Sequence, residues 1–394
     1  MHRIPAAWLG RPGEYVYALS SYELASQVVN DWQTFSSRFG TSRGAPPDHL
    51  VDELAAISAR GFRRPPTMLH ADPPAHTRYR RLVSKAFTPR RVAELTPTIE
   101  QICRELCDAM DAAGGRADLV SAFAVPVPTR TIAAALGVPD ERYVDFKRWA
   151  DAEVAAIGRQ LDDEAWITSA QGVVELQQYF AAELEARRVE PRDDLLTGLV
   201  DARLTPEDDI AGEPLSMEEM ISIVQQLQVA GSETTASLIS EQVVLLAHRP
   251  ELWERLLRAP DGAGAVVEDA LRIASPVQGS FRITTQATEL AGVRIPEGAT
   301  VWILFGSANH DEERFGNPEE LDPERPGLFQ HLAFSRGPHY CIGAPLARLE
   351  ATIALQTLVA RYERIEILDE SSLRYNPSWM LRGLDRLDVQ LVRR

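Results

Sequence analysis

Apolar residues recur at helical spacing over most of this chain. Stretches at 90–113, 140–158, 164–188, 217–248, 251–258, 264–274 and 344–361 each read as an amphipathic helix. Strand-like alternation is rare and short, at 14–19, 289–294, 300–306 and 384–392. No internal repeat or low-complexity tract is present. Residues 39–75 are rich in Gly, Pro and Arg, and 189–215 are acidic and punctuated, but neither has the composition of a linker. The pattern predicts a mainly α protein with a minor β region, folded as a single large helical domain over residues 1–394. The chain enters strand-like sequence at once ("EYVYAL", 14–19), so a leading helix or anchor is expected to lie outside it.

The stretch 217–248 is the longest helical pattern. Ser216 and Glu219 predict a capping box, and "HRP" closes the run at Pro250. At 1.5 Å per residue it would extend about 48 Å, enough to cross the domain. Its middle, "AGSETT" (230–235), is poor in helix formers. A threonine hydroxyl there can bond back to the carbonyl four residues earlier and bend the helix. Two readings stand side by side: a tolerated weak spot, or a local opening that gives a small ligand room beside a hydroxyl and the Glu233 carboxylate.

Composition narrows the class. A chain of 394 residues, 45% hydrophobic and 25% charged, has ample material for a core. No apolar run reaches the roughly 18–20 residues that span a bilayer, and no signal-peptide pattern opens the chain, so a cytoplasmic protein is expected. A net charge of −16 argues against nucleic acid or an anionic membrane as the partner. Three cysteines make no disulfide framework. Cys103 and Cys107 share an apolar stripe with Leu95, Ile99, Ile102, Leu106 and Met110 and read as core.

Cys341 stands apart in "FSRGPHYCIG" (334–343). Structural zinc would need about four N/S ligands, and only His339 and Cys341 are clustered. A thiol nucleophile with a distant histidine base stays open. So does a single axial thiolate on a haem iron, which needs close backbone (Gly337, Gly343) and donors for two propionates. A helix starting just after Cys341 would aim its amides at the sulfur and favour thiolate. Propionate donors can be sought in "HTRYR", which places His76 and Arg80 on one helix face, and in Arg282 and His339. Singly, each reads as an ordinary surface or satisfied residue; their joint presence with Cys341 shifts the balance towards the haem reading.

These features resemble the bacterial soluble cytochrome P-450 family. Phe334-x-x-Gly337-x-His339-x-Cys341-x-Gly343 fits the family's ligand loop at every fixed position, and "AGSETT" is similar to its oxygen-binding groove. "HTRYR", "SPVQGSFR" and "NPEELDPER" follow in family order, so the likeness runs from about residue 14 to the C-terminus. The resemblance implies one b-type haem with Cys341 as axial ligand, and cofactor contacts from His76, Arg80, Ala230, Gly231, Arg282, Phe334, Gly337, His339 and Gly343. It implies insertion of one oxygen atom from O2 into a small to medium, largely apolar substrate. Thr234 and Glu233 would manage protons, and Val277, Ser280, Trp379 and Met380 would touch substrate, as would parts of 45–68 and 155–190. Electrons would come from NAD(P)H through a ferredoxin reductase and a ferredoxin to a monomeric enzyme. A peroxide-driven haem-thiolate peroxygenase or isomerase is the alternative, and a non-catalytic haem sensor would need an output domain that the sequence does not offer.

Three departures from the family pattern stand out. Asp269-x-x-Arg272 replaces the usual Glu-x-x-Arg, and Glu268, one residue earlier, is a competing partner for a cluster with Arg272 and Arg325. Ser335-Arg336 replaces the frequent Gly-x after Phe334. The family's leading helix is missing or much shortened. Between Arg78 and Arg91 the chain carries Arg78, Arg80, Arg81, Lys85, Arg90 and Arg91 and no acid. With Arg336 and Arg348, this stretch reads either as a docking patch for an acidic ferredoxin, built on Arg78, Arg81, Lys85 and Arg336, or as a solvated helix face.

Overall fold

The computed structural model describes residues 1–7, 13–38, 45–208 and 212–394. Most of them are helical, and the small sheets either carry apolar clusters of their own or, as at Tyr362, Ile365, Val389 and Leu391, join the main helical core. The long helix Met217–Ala247 is the organising element. It packs against Pro126–Ala135, Ala263–Ala274, Ala344–Arg361, Tyr143–Val154 and Asp163–Val189. Its capping box forms as the sequence predicts: Ser216 Oγ accepts from the Glu219 amide at 3.2 Å, and the Glu219 carboxylate accepts from the Ser216 amide at 2.9 Å. "AGSETT" does not interrupt the helix, which is assigned without a break through it.

The five-stranded sheet has the order His2–Pro5, Tyr15–Leu19, Thr300–Leu304, Gly279–Thr284, Phe35–Ser36. Only Tyr15–Leu19 and Thr300–Leu304 pair in parallel, among the described strands. Its role is to present Gly279–Thr284, and therefore Arg282, beside the loop that carries Cys341. Residues Arg116–Asp118, Asp388–Arg393 and Tyr362–Ile367 form a second, three-stranded sheet.

Several predicted boundaries shift for identifiable reasons. The stretch 90–113 is two helices, Pro89–Glu94 and Thr96–Ala112, because Pro97 has no amide to donate back into the first. The stretch 289–294 is a hairpin between Thr288–Leu290 and Val293–Ile295. Ala291 and Gly292 both have positive φ, at 50° and 76°, as a tight two-residue turn requires. Residues 384–392 divide into Leu384–Arg386 and Asp388–Arg393, which pair with different partners. Among the described residues no helix is long and apolar enough to cross a membrane.

Candidate active site around Cys341

The loop 334–343 folds back on itself. The Cys341 amide donates to the Phe334 carbonyl at 2.9 Å, closing a ring of backbone around the sulfur. Gly337 has φ +64°, and a Cβ there would lie 2.7 Å from Asn30 Oδ1 and 3.0 Å from the Val29 carbonyl, so glycine is required. The helix Ala344–Arg361 begins directly after the loop, and the amides of Gly343 and Ala344 reach the sulfur. Burial pushes the Cys341 thiol up, while those amides, Arg80 and Arg348 pull it down. A thiolate in so dry a slot is best stabilised by a cation placed on the sulfur itself. Cys103 and Cys107 are fully buried on Thr96–Ala112, and burial pushes both thiols up to about 12. They are core residues.

Cys341 opens into a cavity of about 380 Å³. Ala230, Gly231, Glu233 and Thr234 of the long helix line the same cavity. Thr234 Oγ1 donates to the Ala230 carbonyl at 2.8 Å, and Ser232 and Ser237 bond back in the same way. Gly231 has a packing reason beyond any ligand: a Cβ there would meet Ile132 at 3.3 Å. Burial raises the Glu233 carboxyl above the usual carboxylate range, which favours the neutral acid.

At the edge of the cavity the fold gathers positive charge. His76 and Arg80 come from Ala75–Ala86, Arg282 from Gly279–Thr284 and His339 from the cysteine loop, and all four line the cavity. The His76 and His339 rings lie 4.3 Å apart, and Ser37 Oγ is 2.9 Å from His339 Nε2. Burial, reinforced by Arg282, His76 and Arg80, lowers His339 to about 3, so it is neutral at pH 7. Burial lowers Arg282 to about 10, still charged. Its guanidinium donates to Ser280 Oγ at 2.8 Å and the Phe281 carbonyl at 2.7 Å. Among the described residues neither Arg80 nor Arg282 has a carboxylate within ion-pair distance. Buried guanidinium demands an anion. An apolar slot with a thiolate position inside and four donors at its rim fits a haem with two propionates.

Val277, Ser280 and Met380 line the cavity as well, with Met68, Ile157, Leu238 and Leu381. Trp379 stands outside this lining, packed edge-on against Phe281 and Trp302 with ring centroids 5.5 and 6.1 Å away. Gln226 also lines the cavity, but its amide is engaged on both sides, by Thr67 Oγ1 and by the Leu69 amide. The part of the predicted irregular stretch at 39–44 lies outside the described residues. Arg64 of "RGFRRPP" (60–66) forms an ion pair with the buried Glu153 at 3.2 Å.

The acidic ambiguity is resolved by geometry. Asp269 takes Arg272 Nε at 2.6 Å and Arg325 Nε at 3.1 Å, all three fully buried or nearly so. Arg272 also donates to the carbonyls of Asn309, Pro318 and Glu320. Glu268 serves a different pair, accepting from Arg348 at 2.6 Å and lying 2.9 Å from His331 Nε2. The charge patch needs correction. Arg78 is turned inward to Glu219 at 2.8 Å and to the carbonyls of Glu213 and Pro214, because the start of the long helix packs against it. Lys85 pairs with Asp208 at 2.6 Å. Arg336 donates to the Gln330 carbonyl, and Arg81 is exposed.

Sequence reasoning missed Glu350 and Ser37. Glu350 lies nine positions after Cys341 in a helix whose neighbours are apolar. It is fully buried, lines the cavity, and burial raises its carboxyl to about 8. An acid on the apolar stripe of 344–361 was the available signal.

Comparisons with known proteins give the family. A family profile for cytochrome P450 matches residues 5–261 and 263–382. The chain is 41% identical over 378 residues to cytochrome P450 107B1 of Saccharopolyspora erythraea, covering 95% of this chain and 89% of that protein. It is 36% identical to 6-deoxyerythronolide B hydroxylase of the same organism, covering 95% and 87%. The solved structure of cytochrome P450 CYP109Q5 from Chondromyces apiculatus superposes with a TM-score of 0.81 at 36% identity, covering 96% of this chain and 90% of that one. The chain belongs to the cytochrome P450 family. It is a P450 monooxygenase of the bacterial type, a class that uses haem and dioxygen.

Proposed function

We propose that this enzyme holds a b-type haem through Cys341 and inserts one atom of O2 into a small to medium, largely apolar substrate. The observation that carries this is one cavity lined at once by Cys341, by the Glu233–Thr234 pair and by four cationic or imidazole donors, of which His76 and Arg282 are buried and Arg80 and His339 half-buried. His76, Arg80, Arg282 and His339 would hold the propionates. When bound, the haem supplies dioxygen activation, with the Cys341 thiolate donating electron density that favours O–O cleavage.

The chain's own residues do the rest. The apolar wall of Met68, Ile157, Val277, Leu238 and Met380 binds substrate by burial and excludes water. The Thr234 hydroxyl rests on the Ala230 carbonyl and presents its lone pairs to the cavity, where it can order a proton-bearing water. Burial raises the Glu233 carboxyl, which eases its uptake of the proton that this path has to deliver. Electrons come from NAD(P)H through a separate ferredoxin reductase and ferredoxin to a monomeric, cytoplasmic enzyme.

Turnover with isotope-labelled dioxygen tests the reading. With reductase and ferredoxin present, one labelled oxygen should appear per product, in step with NAD(P)H consumed. Sustained turnover on hydrogen peroxide alone, with no incorporation from dioxygen, would establish the peroxygenase alternative instead.

A further inference from the structure

Glu268, on the helix Ala263–Ala274, is a buried carboxylate that holds two groups at the cysteine loop. Arg348 Nη2 and Nε donate to its two oxygens at 2.6 and 2.7 Å, a two-pronged pairing of guanidinium on carboxylate. His331 Nε2 lies 2.9 Å from the same carboxylate. The His331 Nδ1 accepts from the Ala333 amide at 3.2 Å, which leaves Nε2 to donate to Glu268.

The other contacts of Arg348 fall on the loop itself. Arg348 belongs to the helix Ala344–Arg361 that follows Cys341. Its guanidinium stands over the Phe334 ring, 4.6 Å from the centroid, and its Nη1 donates to Tyr340 Oη at 3.2 Å. Phe334 and Tyr340 belong to opposite stems of the loop, and the Phe334 carbonyl takes the Cys341 amide. One cation therefore spans both stems of the loop that presents the sulfur. Its side chain is half-buried, whereas that of Glu268 is sealed from water.

We infer that Arg348 is a positioning residue for the axial thiolate: it clasps the two stems of the cysteine loop and sets the electrostatic potential at the sulfur, with Glu268 as its counter-charge. This rests on the haem-thiolate reading of the site. Reduction adds one negative charge to the iron–thiolate unit. A cation beside the loop makes that step easier, and a buried carboxylate without its cation makes it harder. The two members of the pair therefore act on the iron with opposite sign. A purely mechanical clasp would have no such sign.

Redox titration of the holoenzyme and its variants tests this. Arg348→Gln leaves Glu268 without its cation, and the midpoint potential should fall. Glu268→Gln leaves Arg348 without its carboxylate, and the potential should rise. The double variant removes both charges together and should return the potential to near the wild-type value. Arg348→Lys keeps the charge but not the planar fork. Its potential should stay near wild type, while part of its reduced carbon monoxide complex loses the red-shifted band of thiolate ligation. Potentials that shift the same way in both single variants, or in neither, with that band retained, would overturn the inference and leave the haem-thiolate assignment standing. Should Arg348→Gln fail to retain haem, a potential in Glu268→Gln at or below the wild-type value overturns it equally. Absence of the band from the wild-type enzyme would overturn the assignment itself, and this inference with it.

Discussion

At the scale of single residues, burial decides the chemistry. Thr234 is the one threonine of "AGSETT" that lines the cavity with its hydroxyl already bonded to Ala230. Thr234→Ala removes the hydroxyl that the proposed function assigns to ordering the proton donor, while leaving the apolar wall intact. Substrate binding and NAD(P)H consumption should persist, but product per electron pair should fall roughly tenfold or more, with hydrogen peroxide making up the difference. Coupling equal to wild type would show that the hydroxyl does not order protons. Glu350 gives a stability prediction. Its folded-state carboxyl is raised to about 8, so the neutral form is favoured in the folded protein. The stability this confers is complete below the ordinary glutamate range and is lost as pH rises through about 8, at up to about 1.4 kcal/mol per pH unit. Glu350→Gln should therefore gain stability relative to wild type as pH is raised across that window. Parallel denaturation curves at about pH 5 and pH 8 would contradict it.

At the scale of elements, the sequence was most legible where period and cap agreed. Met217–Ala247 and Ala344–Arg361 followed from their apolar stripes and from Ser216 with Glu219. The hairpin at 288–295 did not, because six apolar–polar positions look alike whether or not a turn divides them. Only the Ala291-Gly292 pair held the clue. Whether Asp269 or Glu268 partnered Arg272 could not be read from spacing, since i,i+3 and i,i+4 both share a helix face. Packing decides it: Glu268 is claimed by Arg348 and His331 on the side of the cysteine loop. Removing Asp269 as Asp269→Ala strands two buried guanidinium groups and should cost about 3–5 kcal/mol, against a smaller loss for Asp269→Asn, which keeps an acceptor. Chemical denaturation of both variants measures this. Equal, small effects would mean that the carbonyls around Arg272 and Arg325 suffice.

At the scale of the whole molecule, charge balance was readable but its placement was not. The basic run from Arg78 to Arg91 has no acid within it, yet its members find acids elsewhere: Glu219 for Arg78, Asp208 for Lys85, Asp193 for Arg91. Only folding brings those partners in from over 100 positions away. A ferredoxin docking near the cysteine loop would therefore be steered by Arg81 more than by Arg78. Arg81→Glu should slow reduction at low salt and flatten its salt dependence, while Arg78→Glu should chiefly lower stability. A larger kinetic effect from Arg78→Glu would restore the original patch. The central claim, that one thiolate among three cysteines holds a haem, is tested most directly by the reduced carbon monoxide spectrum of the purified enzyme and its cysteine variants. The strongly red-shifted Soret band should be present in wild type, Cys103→Ser and Cys107→Ser and absent from Cys341→Ser. Its persistence in Cys341→Ser, or its loss in either of the other two, would contradict the account.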